Sequence, residues 1–133
     1  MFIGRRKTIA IKILIVDDEE IILEEARETL TDEGYECFVA ISVEAAIEII
    51  ETTPGLRLII TDLKMPKVSG ANLIKFIETT CVQDIKIIVM SGHASPDVES
   101  EGIDLTPYTF LKKPLDINDL IDKVGSVLAI KEY

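Results

Sequence analysis

One histidine and two cysteines in 133 residues are the chain's scarcest resources, and their scarcity removes whole classes of chemistry. With His93 alone, neither a histidine-based metal site nor a Ser-His-Asp triad can be assembled. Cys37 and Cys81 are too few for a disulfide framework or a thiolate metal site, and they read as reduced, partly buried thiols. No apolar run approaches the roughly 18 residues that a membrane span requires. The first seven residues, Met1-Phe2-Ile3-Gly4-Arg5-Arg6-Lys7, lack the apolar core and cleavage site of a signal peptide. The expectation is a cytoplasmic protein with no membrane association. Basic residues are also the minority, 14 against 24 acidic, for a formal net charge of −10. That excess repels a nucleic-acid backbone and argues against direct binding of DNA or RNA. The Arg5-Arg6-Lys7 cluster reads as a solvated tail.

What remains is an ordinary globular balance, 47% apolar and 29% charged, in a chain long enough for one domain with a sizeable core. No repeat or linker divides it, so a single domain is expected over residues 11–130, with short tails at 1–10 and 131–133. Apolar runs alternate with helical patterns throughout. Ile11–Val16 is rich in β-branched residues and too short for a helix. From Glu19 to Glu33, Ile22, Leu23, Ala26 and Leu30 recur at helical spacing, and Gly34 supplies a left-handed stop. Glu36–Ala40 reads as a second strand. Ser42 caps a helix striped by Ala46, Ile47 and Ile50, which Pro54-Gly55 ends.

Arg57–Thr61 is the predicted third strand, Gly70–Thr79 the third helix, Ile85–Met90 the fourth strand and Tyr108–Leu111 a shorter fifth. A closing helix starts at Asp116, with Asp119 three residues in and Ile117, Leu120, Ile121, Val124, Val127 and Leu128 on its buried stripe. The stretch Ser95–Thr106 has almost no apolar stripe, and one short turn of helix followed by loop is expected there. Nearly all-apolar strands separated by amphipathic helices imply a parallel sheet covered on both faces, a doubly wound α/β sandwich. Ligands of such sheets sit beyond the carboxyl ends of the strands. Asp17-Asp18, Asp62, Ser91 and Lys113 all follow directly on predicted strands.

Three carboxylates at one sheet edge repel one another unless a cation joins them. A magnesium ion takes oxygen ligands and binds phosphate oxygens in its remaining positions. Asp17 and Asp18 are candidate ligands, and Asp62 can ligate through one oxygen while the other attacks phosphorus, giving an acyl phosphate. Lys113 supplies a further charge, worth on the order of 4 kcal/mol at about 4 Å and an effective dielectric of about 20, before desolvation. Ser91 offers a hydroxyl to a phosphoryl oxygen. Taken singly, each residue has a plainer explanation. Acids after a strand favour a helix N-terminus, Asp62 suits a turn, Lys113 a solvated loop, and Ser91-Gly92 an ordinary turn. At the same end of four strands, the plainer explanations become improbable together.

Val16-Asp17-Asp18-Glu19, Asp62-x-x-Met65-Pro66-x-x-x-Gly70, Ser91-Gly92 and Lys113-Pro114 together resemble the response-regulator receiver domains of two-component signalling, over about Ile11 to Ile130. The resemblance implies a five-stranded, CheY-like sheet in the flavodoxin-like order 2-1-3-4-5, with an irregular fourth helix in this chain. It implies Asp62 as phospho-acceptor, and Asp17, Asp18, Asp62 and the Lys64 carbonyl as the magnesium ligands. Ser91 and Lys113 would engage the phosphoryl group, Phe110 would be the switching aromatic, and the Lys113–Pro114 peptide would be cis. Lys64 and His93 fall where such domains set dephosphorylation rate. A histidine kinase or histidine phosphotransfer protein would be the donor, and an output partner would read the state. The implied protein is not a conventional enzyme, although it catalyses its own phosphorylation and dephosphorylation. It would be a stand-alone regulator or a piece of a larger one.

Three rivals fit less well. A haloacid-dehalogenase-type phosphatase carries Asp-x-Asp after its first strand, and neither Asp17-Asp18-Glu19 nor Asp62-Leu63-Lys64 matches. A flavin or nucleotide carrier needs a Gly-rich phosphate loop where this chain places acids. A receiver-like docking module would have lost an acidic or lysine position, and none is lost.

Overall fold

The computed structural model describes residues 9–65, 67–80, 84–92, 99–100 and 103–129, with the backbone alone for 99, 100 and 103. In chain order the elements are β1 (Lys12–Val16), α1 (Glu20–Asp32), β2 (Glu36–Ala40), α2 (Val43–Thr52), β3 (Leu56–Asp62), α3 (Gly70–Thr80), β4 (Lys86–Ser91), β5 (Glu99–Ser100), β6 (Ile103–Asp104), β7 (Thr109–Lys112) and α4 (Ile117–Leu128). Five strands form one sheet in the order β2-β1-β3-β4-β7, every neighbouring pair parallel. That is the doubly wound arrangement read from the sequence. Parallel neighbours require crossovers, and α1, α2 and α3 provide those from β1 to β2, β2 to β3 and β3 to β4, with α1 and α4 on one face of the sheet and α2 and α3 on the other.

Alternation along each strand divides the core in two. Leu14, Val16, Ile59, Ile87 and Val89 face α2 and α3. Ile13, Ile15, Leu58, Ile60, Ile88 and Met90 face α1 and α4. Adjacent strand residues pointing to opposite faces, both covered, explain why these strands are apolar without interruption. Local signals set the helix ends. The Ser42 hydroxyl accepts from the Ala45 N–H at 3.1 Å, and Asp116 Oδ1 accepts from the Asp119 N–H at 3.0 Å. Gly34 and Gly55 take φ of 99° and 89°, the left-handed turns that stop α1 and separate α2 from β3.

One element departs from expectation. Where a short helical turn was predicted, the described residues carry a two-residue antiparallel ladder, Glu99↔Asp104 and Ser100↔Ile103. The rest of the predicted turn, residues 95–98, lies outside the described residues, as do Cys81 and His93. Without an apolar stripe, nothing in this stretch ties a helix to the core. Leu105 is the anchor instead, wholly buried in the cluster on the α2 and α3 face. Tyr108 continues the attachment, its N–H donating to the Leu105 carbonyl and its hydroxyl to Glu78 at the end of α3. Among the described residues no helix is long and apolar enough to cross a membrane.

Candidate functional site

The carboxyl ends of β1, β3, β4 and β7 meet at one edge of the sheet. Asp17 follows β1, Asp62 and Ser91 are the last residues of β3 and β4, and Lys113 follows β7. Asp62 and Ser91 thus belong to their strands, one residue beyond the ends read from sequence. The register explains the alignment: Val16 pairs with Thr61, Thr61 with Val89, and Ser91 with Lys112.

Asp17 is completely buried and held from two sides. Its N–H donates to the Ala40 carbonyl at 3.1 Å, and its Oδ1 accepts from the Glu19 N–H at 2.9 Å. Its Oδ2 lies 2.8 Å from Lys113 Nζ yet accepts no hydrogen bond of good angle among the described residues. The two observations describe one ion pair. Coulomb attraction follows distance rather than angle, so the pairing holds while the oxygen remains short of a well-aligned donor. Asp18, by contrast, is exposed.

Asp62 is nearly buried, with Oδ2 3.3 Å from Lys113 Nζ. Burial pushes its carboxyl above the ordinary range. Lys113 and the Lys64 N–H draw it back, the charge of Asp17 pushes it up again, and the balance stays upward. For Lys113 burial works toward a lower value, but the pairing with Asp17 and the charge of Asp62 outweigh it, and the ammonium is held above its usual range. Lys113 is held through its backbone as well, its N–H donating to the Ser91 carbonyl at 2.7 Å; the Lys113–Pro114 peptide bond is cis. Its Nζ reaches a third carboxylate, Glu19 Oε1, at 3.2 Å.

Asp17, Asp18 and Asp62 each present a carboxylate oxygen within 4.8 Å of the others. A hard-oxygen donor set of this kind, with a buried oxygen lacking an aligned donor, fits a divalent cation. Lys64 is exposed, and Phe110 is half-buried against the α2 and α3 cluster. The Phe110 carbonyl accepts from Lys123 Nζ at 3.1 Å. His93 lies outside the described residues.

Two residues with a part in this geometry were read from sequence only as helix starts and motif letters. Gly70, at the start of α3, packs so closely that a Cβ there would sit 2.1 Å from the Asp62 carbonyl oxygen. Glu19 was read as a helix start, although its place as the third acid in a row after β1 was the available signal. Neither contact is legible without the neighbouring element.

Comparison with known proteins bears on the family and the fold. The model of the response regulator receiver domain matches residues 13–125. Sporulation initiation phosphotransferase F of Bacillus subtilis is 32% identical over 120 residues, which cover 90% of this chain and 95% of that protein. Response regulator RR06 of Streptococcus pneumoniae is 31% identical over 87% of this chain, which spans only 52% of that protein. The chemotaxis response regulator CheY4 of Vibrio cholerae superposes with a TM-score of 0.80 at 26% identity, over 90% of this chain and all of that one. The receiver-domain match over residues 13–125, in a chain whose sheet edge gathers Asp17, Glu19 and Asp62 around Lys113, makes this protein a member of the response-regulator receiver domain family of two-component signalling.

Proposed function

We propose that Asp62 accepts a phosphoryl group from a phosphohistidine on a histidine kinase or histidine phosphotransfer protein. The observation that carries the reading is the convergence of Asp17, Asp18 and Asp62 within 4.8 Å, with Lys113 Nζ paired to two of them. An Asp62 carboxylate oxygen attacks phosphorus in line. The new O–P bond forms as the P–N bond breaks, and the imidazole nitrogen keeps the electron pair and takes a proton from solvent. Asp17, Asp18, Asp62 and the Lys64 carbonyl would hold magnesium, which would supply positive charge to the phosphoryl oxygens. Lys113 pairs with the same group as it gains charge, and the Ser91 hydroxyl donates to one of its oxygens. Hydrolysis of the acyl phosphate by water returns the domain to its starting state, at a rate tuned by Lys64 and His93.

The new charge, roughly −1.5 to −2 at this edge, draws Ser91 inward and turns Phe110 toward the vacated space. The face around β7 then changes its preference for an output partner. A Phe110 ring left unmoved by a phosphoryl mimic would count against that step. The unit that acts is residues 11–130, in the cytoplasm. The chain is not a conventional enzyme, since its phosphorylated product is itself. Intact mass after treatment with acetyl phosphate and magnesium tests the assignment: one phosphoryl adduct is expected in the parent and none in Asp62→Asn. A parent without adduct, or an equal adduct in the variant, defeats it.

A further inference from the structure

The reading of Asp62 leaves one contact unexplained. Of the three carboxylates around Lys113 Nζ, Asp17 and Asp62 belong to the cation cluster and are buried. Glu19 belongs to neither category: its side chain is 61% exposed and its carboxylate lies 3.2 Å from a Lys113 side chain that is 15% exposed. Glu19 precedes α1 as its N-cap residue, and its side chain makes no cap hydrogen bond. Its backbone does the local work, its N–H donating to Asp17 Oδ1 and its carbonyl accepting from the N–H groups of Ile22 and Leu23. The side chain is therefore released from the helix end and spans 94 positions of sequence to meet Lys113.

We infer that Glu19 is a positioning residue that holds Lys113 in the resting state and competes with the incoming phosphoryl group for the same ammonium. The inference rests on Asp62 being the phospho-acceptor. A phosphoryl group on Asp62 needs the Lys113 charge, and of the three resting partners the exposed one is the one free to leave into water. Asp17 is buried and fixed by its neighbours, and Asp62 carries the group. A solvated carboxylate is released at small cost, because exposed ion pairs are weak. Glu19 also adds a negative charge beside an anionic substrate, where like charges oppose binding. Both effects act against phosphorylation, so Glu19 sets a threshold for entry into the active state.

The test compares the parent with Glu19→Gln and Glu19→Asp, in saturating magnesium, with two probes. Beryllofluoride reports binding at Asp62. Acetyl phosphate reports transfer, in which an O–P bond to Asp62 forms as the acetyl P–O bond breaks and acetate leaves with the electron pair. Glu19→Gln is expected to bind beryllofluoride about two- to fivefold more tightly, the range an exposed ion pair supports, and to take phosphate from acetyl phosphate faster by a similar factor. Glu19→Asp keeps the charge but is one methylene short of the 3.2 Å contact; it is expected to move in the same direction as Glu19→Gln by a smaller factor. Affinities and rates equal to the parent in Glu19→Gln overturn the inference, as does Glu19→Asp behaving like the parent while Glu19→Gln departs from it. A parent that takes no phosphoryl group at all refutes the Asp62 assignment instead, so the two failures are distinguishable.

Discussion

Gly70 offers the sharpest test of how the site is built, because adding a single methyl group there strikes the backbone of the candidate phospho-acceptor. A Cβ at residue 70 would lie 2.1 Å from the Asp62 carbonyl oxygen and 3.0 Å from both Asp62 C and Leu63 Cα. Ordinary contact begins at 3.4 Å, so the N-terminus of α3 and the end of β3 must separate by about 1.3 Å, with no flexible side chain to absorb the strain. The Gly70 N–H also donates to the Leu63 carbonyl at 2.9 Å, and the same movement lengthens that bond. Gly70→Ala is expected to lose about 3 kcal/mol of stability, a fall of roughly 10 °C in melting temperature for a domain of this size. Displacing Asp62 by about 1 Å should also slow phosphorylation by acetyl phosphate on the order of a hundredfold. Gly125 is the control. It is an exposed position in α4 where an added Cβ meets nothing within 4 Å, so Gly125→Ala should gain about 0.4–1 kcal/mol. Urea unfolding and intact-mass time courses on the two variants read both quantities. A Gly70→Ala protein as stable and as readily phosphorylated as the parent would refute the close-packing argument.

Two further outcomes follow from the electrostatics. The folded Asp62 carboxyl titrates above the ordinary value of 3.8, chiefly through burial, so folding favours its protonated form. Its contribution to stability is complete below the unfolded value and is lost as pH rises through the folded one. Asp62→Asn should therefore melt above the parent at pH 7.5 in EDTA, with the gap closing toward pH 4; a gap that widens on acidification contradicts the sign. Magnesium at a hundred times its dissociation constant should stabilise the parent by about 2.7 kcal/mol. In Asp18→Asn, which removes one of the clustered carboxylates, thermal unfolding should show most of that shift lost at the same concentration.

Sequence periodicity alone determined the layered architecture. Uninterrupted apolar runs such as Ile13-Leu14-Ile15-Val16 only make sense when both faces of a strand are covered, and Ser42, Asp116 and Gly34 mark helix ends through contacts within a few residues. Asp17, Asp18, Asp62, Ser91 and Lys113 were legible for the same reason. In a parallel sheet the chain always leaves a strand at the same edge, so residues just past strand ends share a neighbourhood. Tertiary structure alone decided the rest. Contacts between elements far apart in sequence depend on how those elements pack, and nothing local encodes them. Glu19 meeting Lys113 across 94 positions is of that kind; two shorter-range features, Gly70 lying against the Asp62 backbone and the antiparallel ladder of β5 and β6, also depend on packing that the local sequence does not spell out. The last formed where sequence supplied no apolar stripe to choose a helix, leaving the choice to Leu105 and the core it enters.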